Sequence, residues 1–291
     1  MVIFLPGSGC TGAFPQLRDG SRAMGPEAFA LKFSRDIRLV VTENPGIEER
    51  FAQEDIAGCS ATFKSMENLQ ARLESFQAII ADLRDRDWIN HPFMIVAGSE
   101  GVALATRFAS ISRDVSHLFL ISGFGIGEPL ATVHAALTGW GNWNFISSQE
   151  SRNSAARLQD TLDRWKQVHQ NREKINGEMI AGHSERYWSS IGMASPAEDA
   201  LETRASLYLV QGGRDTSAPS VNFEAGIAYL VAHGRPFVSE YVQCGDHFLM
   251  CPDDRGSPDN LQKVVSHGMD WFLTGQVPQS SVALFDPANE S

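Results

Sequence analysis

Residues 92–105 limit the folds that this chain can adopt more than any other stretch does. It contains an apolar run at 93–96, the length of a buried strand, and continues as Ala97-Gly98-Ser99-Glu100-Gly101. Beyond this turn, apolar residues recur at helical steps of three and four, at Val102, Ala105, Phe108 and Ile111. The order strand, tight turn, helix predicts an α/β protein with a serine at the junction between strand and helix.

The neighbours of Ser99 predict a sharp reversal of the chain. In a nucleophile elbow the serine takes a strained backbone conformation, and bulky residues two positions before or after it would collide with the adjoining strand and helix. Ala97 and Gly101 meet that demand, in the pattern A-x-S-x-G where G-x-S-x-G is commoner. The alternative is an ordinary small-residue turn, because so short a pattern also occurs by chance.

Strand-like and helix-like segments alternate along most of the chain. Apolar runs of strand length lie at 2–5, 38–42, 93–96, 115–122, 205–211 and 237–242. Segments with helical spacing lie at 66–83, 102–111, 221–233 and 261–272. This alternation predicts the α/β class, with a mostly parallel central sheet flanked by helices. The final dozen residues are expected to form a loose tail.

The rhythm changes between residues 125 and 196, where no convincing strand is found. Leu158, Leu162, Trp165 and Val168 predict a helix, and four of the six tryptophans fall in this span: Trp140, Trp143, Trp165 and Trp188. We therefore expect a helical cap inserted at 125–196 between two parts of one core, 1–124 and 197–291. Its tryptophans either pack the insertion onto the core or line an apolar cleft.

Two further residues join Ser99 as candidates for chemistry. A serine hydroxyl is a poor nucleophile at neutral pH unless a base takes its proton and a third group orients that base. Asp215 follows one predicted strand and His247 follows the next, so Ser99, Asp215 and His247 occur in the order Ser, Asp, His. The carboxyl ends of parallel strands share one edge of a sheet, where such residues can meet. Hydrolysis should then fall as the pH drops and His247 takes up a proton.

Other interpretations of these residues remain open. Asp215 in Gly-Gly-Arg-Asp is also a common turn residue, and His247 taken alone could be a surface or core histidine. Asp246 is a rival acid, although the side chain of a sequence neighbour should point away from the imidazole ring. Glu100 is a second rival, but we expect its backbone N–H, not its carboxylate, to matter.

A glycine-rich loop follows the first predicted strand, as Pro6-Gly7-Ser8-Gly9-Cys10. Its N–H groups could bind a phosphate or a developing oxyanion. The spacing lacks both the lysine of a P-loop and the G-x-G-x-x-G of a dinucleotide site, and a plain flexible turn is the remaining alternative. For an oxyanion hole, the donors would be the N–H of Glu100 and that of Ser8, with Gly9 or Cys10 as substitutes for Ser8.

Composition limits the partners of the protein. The formal net charge of −11 argues against binding nucleic acid or anionic lipid, and no apolar run is long enough for an integral membrane segment. The cysteines show no metal spacing, so free thiols and a cytoplasmic location are expected, although Cys244 and Cys251, which flank His247, could pair. Neither a metal nor an organic cofactor is expected, and the oligomeric state is unknown.

Together, Ala97-Gly98-Ser99-Glu100-Gly101, Val210-Gln211-Gly212-Gly213-Arg214-Asp215 and Gly245-Asp246-His247-Phe248 resemble the α/β-hydrolase superfamily. The segments Ser99-Glu100-Gly101 and Tyr187-Trp188-Ser189-Ser190-Ile191, with Pro196, resemble its serine-aminopeptidase-like esterase branch. Two departures stand out. Pro6-Gly7 replaces a frequent His-Gly, and the chain starts at what would be the third strand of the family.

The resemblance and the three residues imply a serine hydrolase that cleaves an ester of a small or acyl-chain substrate through an acyl-enzyme. Ser99 would be the nucleophile, His247 the base and Asp215 its orienting acid. A thioesterase would share every one of these residues, and a peptidase is disfavoured because no separate gating domain is present. A non-catalytic binding protein on the same fold is the alternative from another class.

Overall fold

A computed structural model describes residues 1–14, 37–48, 58–140, 153–172, 174, 180–252, 259–279 and 281–284. Its strands are β1 (Val2–Leu5), β2 (Leu39–Val41), β3 (Phe93–Gly98), β4 (Val115–Ile121), β5 (Ser206–Gly212), β6 (Phe237–Val242) and β7 (Val282–Leu284). Its helices are α1 (Ala61–Met66), α2 (Leu69–Asp85), α3 (Gly101–Ile111), α4 (Glu128–Thr138), α5 (Ser154–Gln170), α6 (Glu185–Gly192), α7 (Pro196–Glu202), α8 (Ser220–Ala232) and α9 (Asp259–Thr274).

The strands form one seven-stranded sheet in the order β2-β1-β3-β4-β5-β6-β7. Every neighbouring pair from β2 to β6 is parallel, and β7 joins β6 antiparallel. The α/β class and the mostly parallel sheet predicted from the sequence are confirmed. The expected loose tail was wrong at residues 282–284, because β7 extends the edge of the sheet.

Both faces of the sheet are buried, which explains why its strands are continuous apolar runs. In β3, Phe93, Ile95 and Ala97 pack into one core cluster with the apolar sides of α2 and α3. The alternate residues Met94 and Val96 pack into a second cluster with α9 on the other face.

The predicted helix at 66–83 is divided in two. Ser60 caps α1 by accepting a hydrogen bond from Phe63 N, and Asn68 caps α2 by accepting one from Ala71 N. An asparagine side chain that satisfies the first free N–H groups favours a new helix start, so the chain turns at Glu67 instead of continuing. Glu67 is thereby placed beside the loop that follows β1.

Between residues 125 and 196, the described part of the chain contains α4, α5, α6 and the start of α7, with an isolated bridge between Ile180 and His183. That this stretch acts as a cap stays a prediction. Trp143 lies outside the described residues.

The expectation of free thiols was wrong. Cys10 bonds to Cys59 across 49 residues, and Cys244 bonds to Cys251 across 7. The first pair could not be foreseen because sequence does not define connectivity, and the fold alone brings Cys59 beside the loop after β1. Among the described residues, no helix is both long and apolar enough to cross a bilayer.

Candidate active site

Ser99 lies at the end of β3 in a conformation that few side chains adopt. Its φ is 53°, and its N–H donates to Ile121 O at 2.8 Å while its carbonyl accepts the N–H of Val102. Such a left-handed conformation costs a non-glycine residue about 1–3 kcal/mol and persists only where its surroundings enforce it. The serine is therefore presented at the carboxyl edge of the sheet, immediately before α3.

Two glycines allow this turn to form. A Cβ atom on Gly101 would lie 2.5 Å from Pro6 O, and one on Gly123 would lie 2.1 Å from Ser99 O. Neither position tolerates a side chain without a shift of backbone. The small residue predicted at 101 is thus required by the loop after β1, and Gly123 adds a requirement from the loop after β4.

Asp215 and His247 are in direct contact. Nδ1 of His247 donates a hydrogen bond to Asp215 Oδ2 at 2.8 Å. With the proton on Nδ1, the second ring nitrogen, Nε2, is left to accept one. The Asp215 carboxylate is 1% exposed and is satisfied on both oxygens, because Ser217 N and Ala218 N donate to Oδ1 and Gln211 Nε2 donates to Oδ2. A carboxylate held on so many sides orients the imidazole in one direction.

The rival acids are engaged elsewhere. Asp246 Oδ1 accepts the N–H groups of Phe248 and Met250, so this side chain closes its own loop. The Glu100 carboxylate receives hydrogen bonds from Arg72 and from the Tyr187 hydroxyl. Asp215 is the carboxylate that the fold brings to the imidazole ring.

The loop after β1 lies directly over Ser99. A Cβ on Gly7 would lie 3.0 Å from Ser99 Cβ and 3.5 Å from its Oγ. Asn44 Nδ2 donates to both Gly7 O and Gly9 O at 2.9 Å, which holds the loop in place. Of the donors considered, Ser8 lines the cavity, whereas Cys10 is buried in its disulfide.

Arg72 joins this loop to the turn that carries Ser99. Its guanidinium pairs with the Glu100 carboxylate and also donates to Pro6 O at 2.8 Å. The two side chains are 3% and 7% exposed. Because Glu100 is the residue after Ser99, one buried cation ties together the two backbone segments whose N–H groups we predict to bind the oxyanion.

A second layer of side chains surrounds the Glu100 carboxylate. The His183 ring stacks on Tyr187 with centroids 3.9 Å apart, and its Nδ1 bonds to Glu67 Oε1 at 2.8 Å. Burial raises the pKa of Glu67, with the His183 hydrogen bond acting against it. Burial, together with the Glu100 charge, also raises the pKa of Tyr187 well above its usual value. The phenol therefore stays a hydrogen-bond donor to Glu100 across the physiological range.

A cavity of about 610 Å³ opens over these residues. Ser99 and His247 both line it, as do Ser8 and Glu100. Its apolar wall includes Ile121, Ala131, Trp188, Ile191, Ala194 and Leu261. Of the tryptophans predicted to pack or to line a cleft, Trp188 does both, Trp165 is buried and Trp140 is exposed.

One further carboxyl group enters the cavity. Glu128 is the first residue of α4, and its Oε2 is closed to solvent with no hydrogen-bond partner among the described residues. Burial first, and the Glu100 charge second, raise the pKa of Glu128 to about 8. Among the described residues, no group of three or more His, Cys, Asp or Glu side chains is placed to hold a metal ion.

Sequence reasoning missed Asn44, Arg72, Tyr187 and Glu128. Asn44 offered a signal, because it follows a strand at the same sheet edge as the other candidates. Arg72 offered none, since it lies within an amphipathic helix. Its contacts become visible only once α2 packs beside β1.

No model of a known protein family matches the chain, and no curated protein matches it in sequence. Solved structures do resemble it. A puromycin-hydrolyzing peptidase from Mycobacterium tuberculosis is 14% identical with a TM-score of 0.59, covering 97% of this chain and 36% of that one. The acylaminoacyl peptidase of Pyrococcus horikoshii is 14% identical with a TM-score of 0.58, covering 94% and 36%.

Dipeptidyl peptidase 4 of Porphyromonas gingivalis is 12% identical with a TM-score of 0.51, covering 92% of this chain and 31% of that one. The chain thus spans about a third of the length of these proteins. At such identities the likeness establishes architecture, and the sheet order and the strained Ser99 agree with it. The fold that the sequence resemblance implied is therefore confirmed: this chain has the α/β-hydrolase fold.

Proposed function

We propose that the protein is a serine hydrolase that cleaves a carboxylic ester through an acyl-enzyme intermediate. The observation that supports this most directly is the strained Ser99 in one cavity with an imidazole whose Nδ1 is bonded to the buried Asp215. Backbone strain of this kind concentrates at functional sites. Asp87, Ala181 and Leu249 have a similar φ, so the strain supports the proposal only together with the position of Ser99 in the cavity that His247 also lines.

The reaction follows from the positions of these groups. Ser99 Oγ attacks the substrate carbonyl carbon while His247 Nε2 takes the serine proton. Asp215 holds the ring in the tautomer that leaves Nε2 free to accept, and stabilises the imidazolium that forms. The N–H groups of Glu100 and Ser8 receive the oxyanion, each contributing about 3 kcal/mol in the transition state.

Collapse of the tetrahedral intermediate breaks the ester bond. His247 returns the proton to the departing alcohol, and the acyl group remains on Ser99. Water, deprotonated by the same imidazole, then attacks the acyl carbonyl and releases the carboxylic acid. Serine and histidine return to their starting states.

The cavity supports a small-molecule substrate. A volume of about 610 Å³ lies within the usual range for small-ligand sites, and its wall is largely apolar. In this proposal the helices of 125–196 act as the cap, because α6 supplies Tyr187, Trp188 and Ile191 to that wall. Two disulfides favour an oxidising compartment over the cytoplasmic location that free thiols predicted.

Acyl thioesters are the second candidate, because the same residues would act on them. The structural neighbours are named as peptidases, so amide bonds belong in any test as well. A non-catalytic binding protein is the candidate from another class, and the contact between His247 and the buried Asp215 in a chain that also presents Ser99 to the cavity argues against it.

The test is covalent labelling with a fluorophosphonate, followed by peptide mapping and a turnover panel of matched ester, thioester and amide substrates. We expect the label on Ser99 and the highest kcat/KM on an ester. Ser99→Ala should abolish labelling and lower turnover by at least about 1,000-fold. Ser65→Ala, at an exposed serine of α1, is the matched control and should retain both. An unlabelled, folded protein would indicate a binding protein, and preference for thioester or amide would reassign the substrate.

A further inference from the structure

Among the described carboxyl groups around the cavity, Glu128 differs in having one buried oxygen that no described group contacts by a hydrogen bond. Glu100 has Arg72 and Tyr187, Glu67 has His183, and Asp215 is bonded on both oxygens. Glu128 Oε2 is closed to solvent, yet no described residue donates a hydrogen bond to it. A carboxyl oxygen that is closed to solvent and has no hydrogen-bond donor is destabilising unless another molecule supplies that donor.

The surroundings of Glu128 favour a cation in that role. Among the described residues that line the cavity there are two carboxyl groups and two histidines, and there is no lysine or arginine. The Arg72 guanidinium, which binds the Glu100 carboxylate, also donates to Pro6 O. The Trp188 indole lies in the same wall and offers an aromatic surface that also attracts cations.

We propose that Glu128 is a specificity-determining residue that binds a substituted ammonium group of the substrate, so that the hydrolase acts on amine-bearing acyl compounds. This rests on the proposed function for the hydrolytic step itself. An ammonium N–H would donate to the carboxylate and give each charge a partner. An anionic substrate would instead meet Glu100 and Glu128, with no lysine or arginine among the described lining residues to receive it.

The protonation state of Glu128 makes this recognition depend on pH. With a pKa of about 8 the carboxyl is about one-tenth ionised at pH 7, so a neutral site must lose a proton as the ammonium enters. The titratable groups that face it are Glu100 of the serine turn, Tyr187 of α6 and His183, with Glu67 behind His183. From α5, Arg157 reaches Ala136 O near the opposite end of α4. Affinity for a fixed cation should therefore rise up to about pH 8 and level off above it.

The test measures binding without turnover. In Ser99→Ala protein no acyl-enzyme can form, so calorimetry can compare n-alkylammonium ions, from butyl to octyl, with n-alkanols of equal length between pH 6 and 9. We expect at least one ammonium to bind about tenfold more tightly than its alkanol at pH 8, with that ratio falling about tenfold per pH unit below. Adding Glu128→Gln should remove both the preference and its pH dependence.

Glu224→Gln is the matched control, because Glu224 is exposed on α8 and absent from the cavity lining. It should leave the ammonium-to-alkanol ratio unchanged. Equal binding of ammonium and alkanol at every chain length, or a preference that survives Glu128→Gln, would overturn the proposal. The hydrolase assignment is judged separately, by fluorophosphonate labelling of Ser99 in the wild-type protein.

Discussion

The two loops that bound the candidate active site each contain a disulfide-bonded cysteine, yet the two disulfides hold them differently. The proposed oxyanion loop, residues 6–12, is held by distant parts of the chain. Asn44 bonds to two of its carbonyls, Arg72 to a third, and Cys10 joins Cys59 across 49 residues. Its conformation therefore depends on how the rest of the protein has folded.

The histidine loop, residues 243–252, is cross-linked within itself. Asp246 accepts the N–H groups of Phe248 and Met250, and the Cys244–Cys251 bond spans only 7 residues. The rest of the fold holds the loop at fewer points: Asp215 binds His247, the Arg214 N–H donates to Gly245 O at 2.8 Å, and Leu249 is buried in the core. Its disulfide, unlike that of the other loop, makes no link to a distant segment.

The difference predicts how each loop responds when its contacts are lost. Local contacts can open and close without the rest of the protein, whereas long-range contacts fail only with the packing that supports them. We expect disturbance of the oxyanion loop to affect both catalysis and folding. Disturbance of the histidine loop should remain local.

Among residues that hold the two loops, the largest effect on turnover is expected from Arg72→Met. This change removes the hydrogen bond to Pro6 O and leaves Glu100 as a buried charge whose cation is gone. If Arg72 aligns the two oxyanion donors, kcat should fall about 100-fold with a smaller change in KM. The measurement is steady-state kinetics normalised by active-site titration, so that unfolded protein is not counted.

Two variants separate positioning from simple stabilisation. Arg72→Lys keeps the positive charge, but its compact ammonium cannot reach two partners as the planar guanidinium does. It should therefore recover only part of kcat. Arg107→Met breaks a partly exposed pair with Asp199 away from the cavity and should leave kcat unchanged. A normal kcat per titrated site in Arg72→Met would show that Arg72 contributes to folding alone. The contacts that hold the loop at residues 6–12 would then matter for stability and not for catalysis.

The disulfides give the next largest contrast. The chain-entropy account of cross-links predicts a loss of about 4 kcal/mol for Cys10→Ala with Cys59→Ala, and about 2.5 kcal/mol for Cys244→Ala with Cys251→Ala. Urea unfolding of the two double variants and the wild type measures both. A larger loss of unfolding free energy on removing the Cys244–Cys251 bond would mean that this disulfide stabilises the protein by more than the length of the loop it closes explains.

The same contrast explains which parts of the molecule could be predicted from the sequence. The strand, turn and helix around Ser99 and the alternation of the sheet follow from local spacing, and the structure contains them. Asp215 and His247 were each placed after a strand, and a parallel sheet brings such residues to one edge. Their contact at 2.8 Å is what that arrangement predicts.

Contacts made across the fold could not be obtained in this way. Arg72 occupies the buried side of a helix, where an apolar residue would be expected, and nothing in its neighbours shows that it reaches Pro6 O. The Cys10–Cys59 bond and the pairing of β7 likewise depend on tertiary placement. Glu128 has the sequence of an ordinary helix start, and only the cavity reveals that its carboxyl is buried.

The smallest expected effect is on the pH dependence of stability. Glu128 lies on the side of the cavity near Glu100, and its pKa rises from about 4.5 to about 8 on folding. The folded state therefore binds this proton more tightly, so the contribution of Glu128 to stability is present below about pH 4.5 and is lost as the pH rises to about 8. Replacing Glu128 by glutamine should flatten the pH dependence of the unfolding free energy over that range by on the order of 2 kcal/mol, because Oε2 is closed to solvent but the residue as a whole is only partly buried.

Urea unfolding at several pH values measures this change, with Glu224→Gln as the exposed control. Some slope should remain in Glu128→Gln, because burial also raises the pKa of Glu67 on the same side of the cavity. If the slope in Glu128→Gln equals that of the wild type, the Glu128 carboxyl is already ionised in the folded protein. It would then have to find its compensating charge within the chain, and a substrate cation would no longer be needed to supply one.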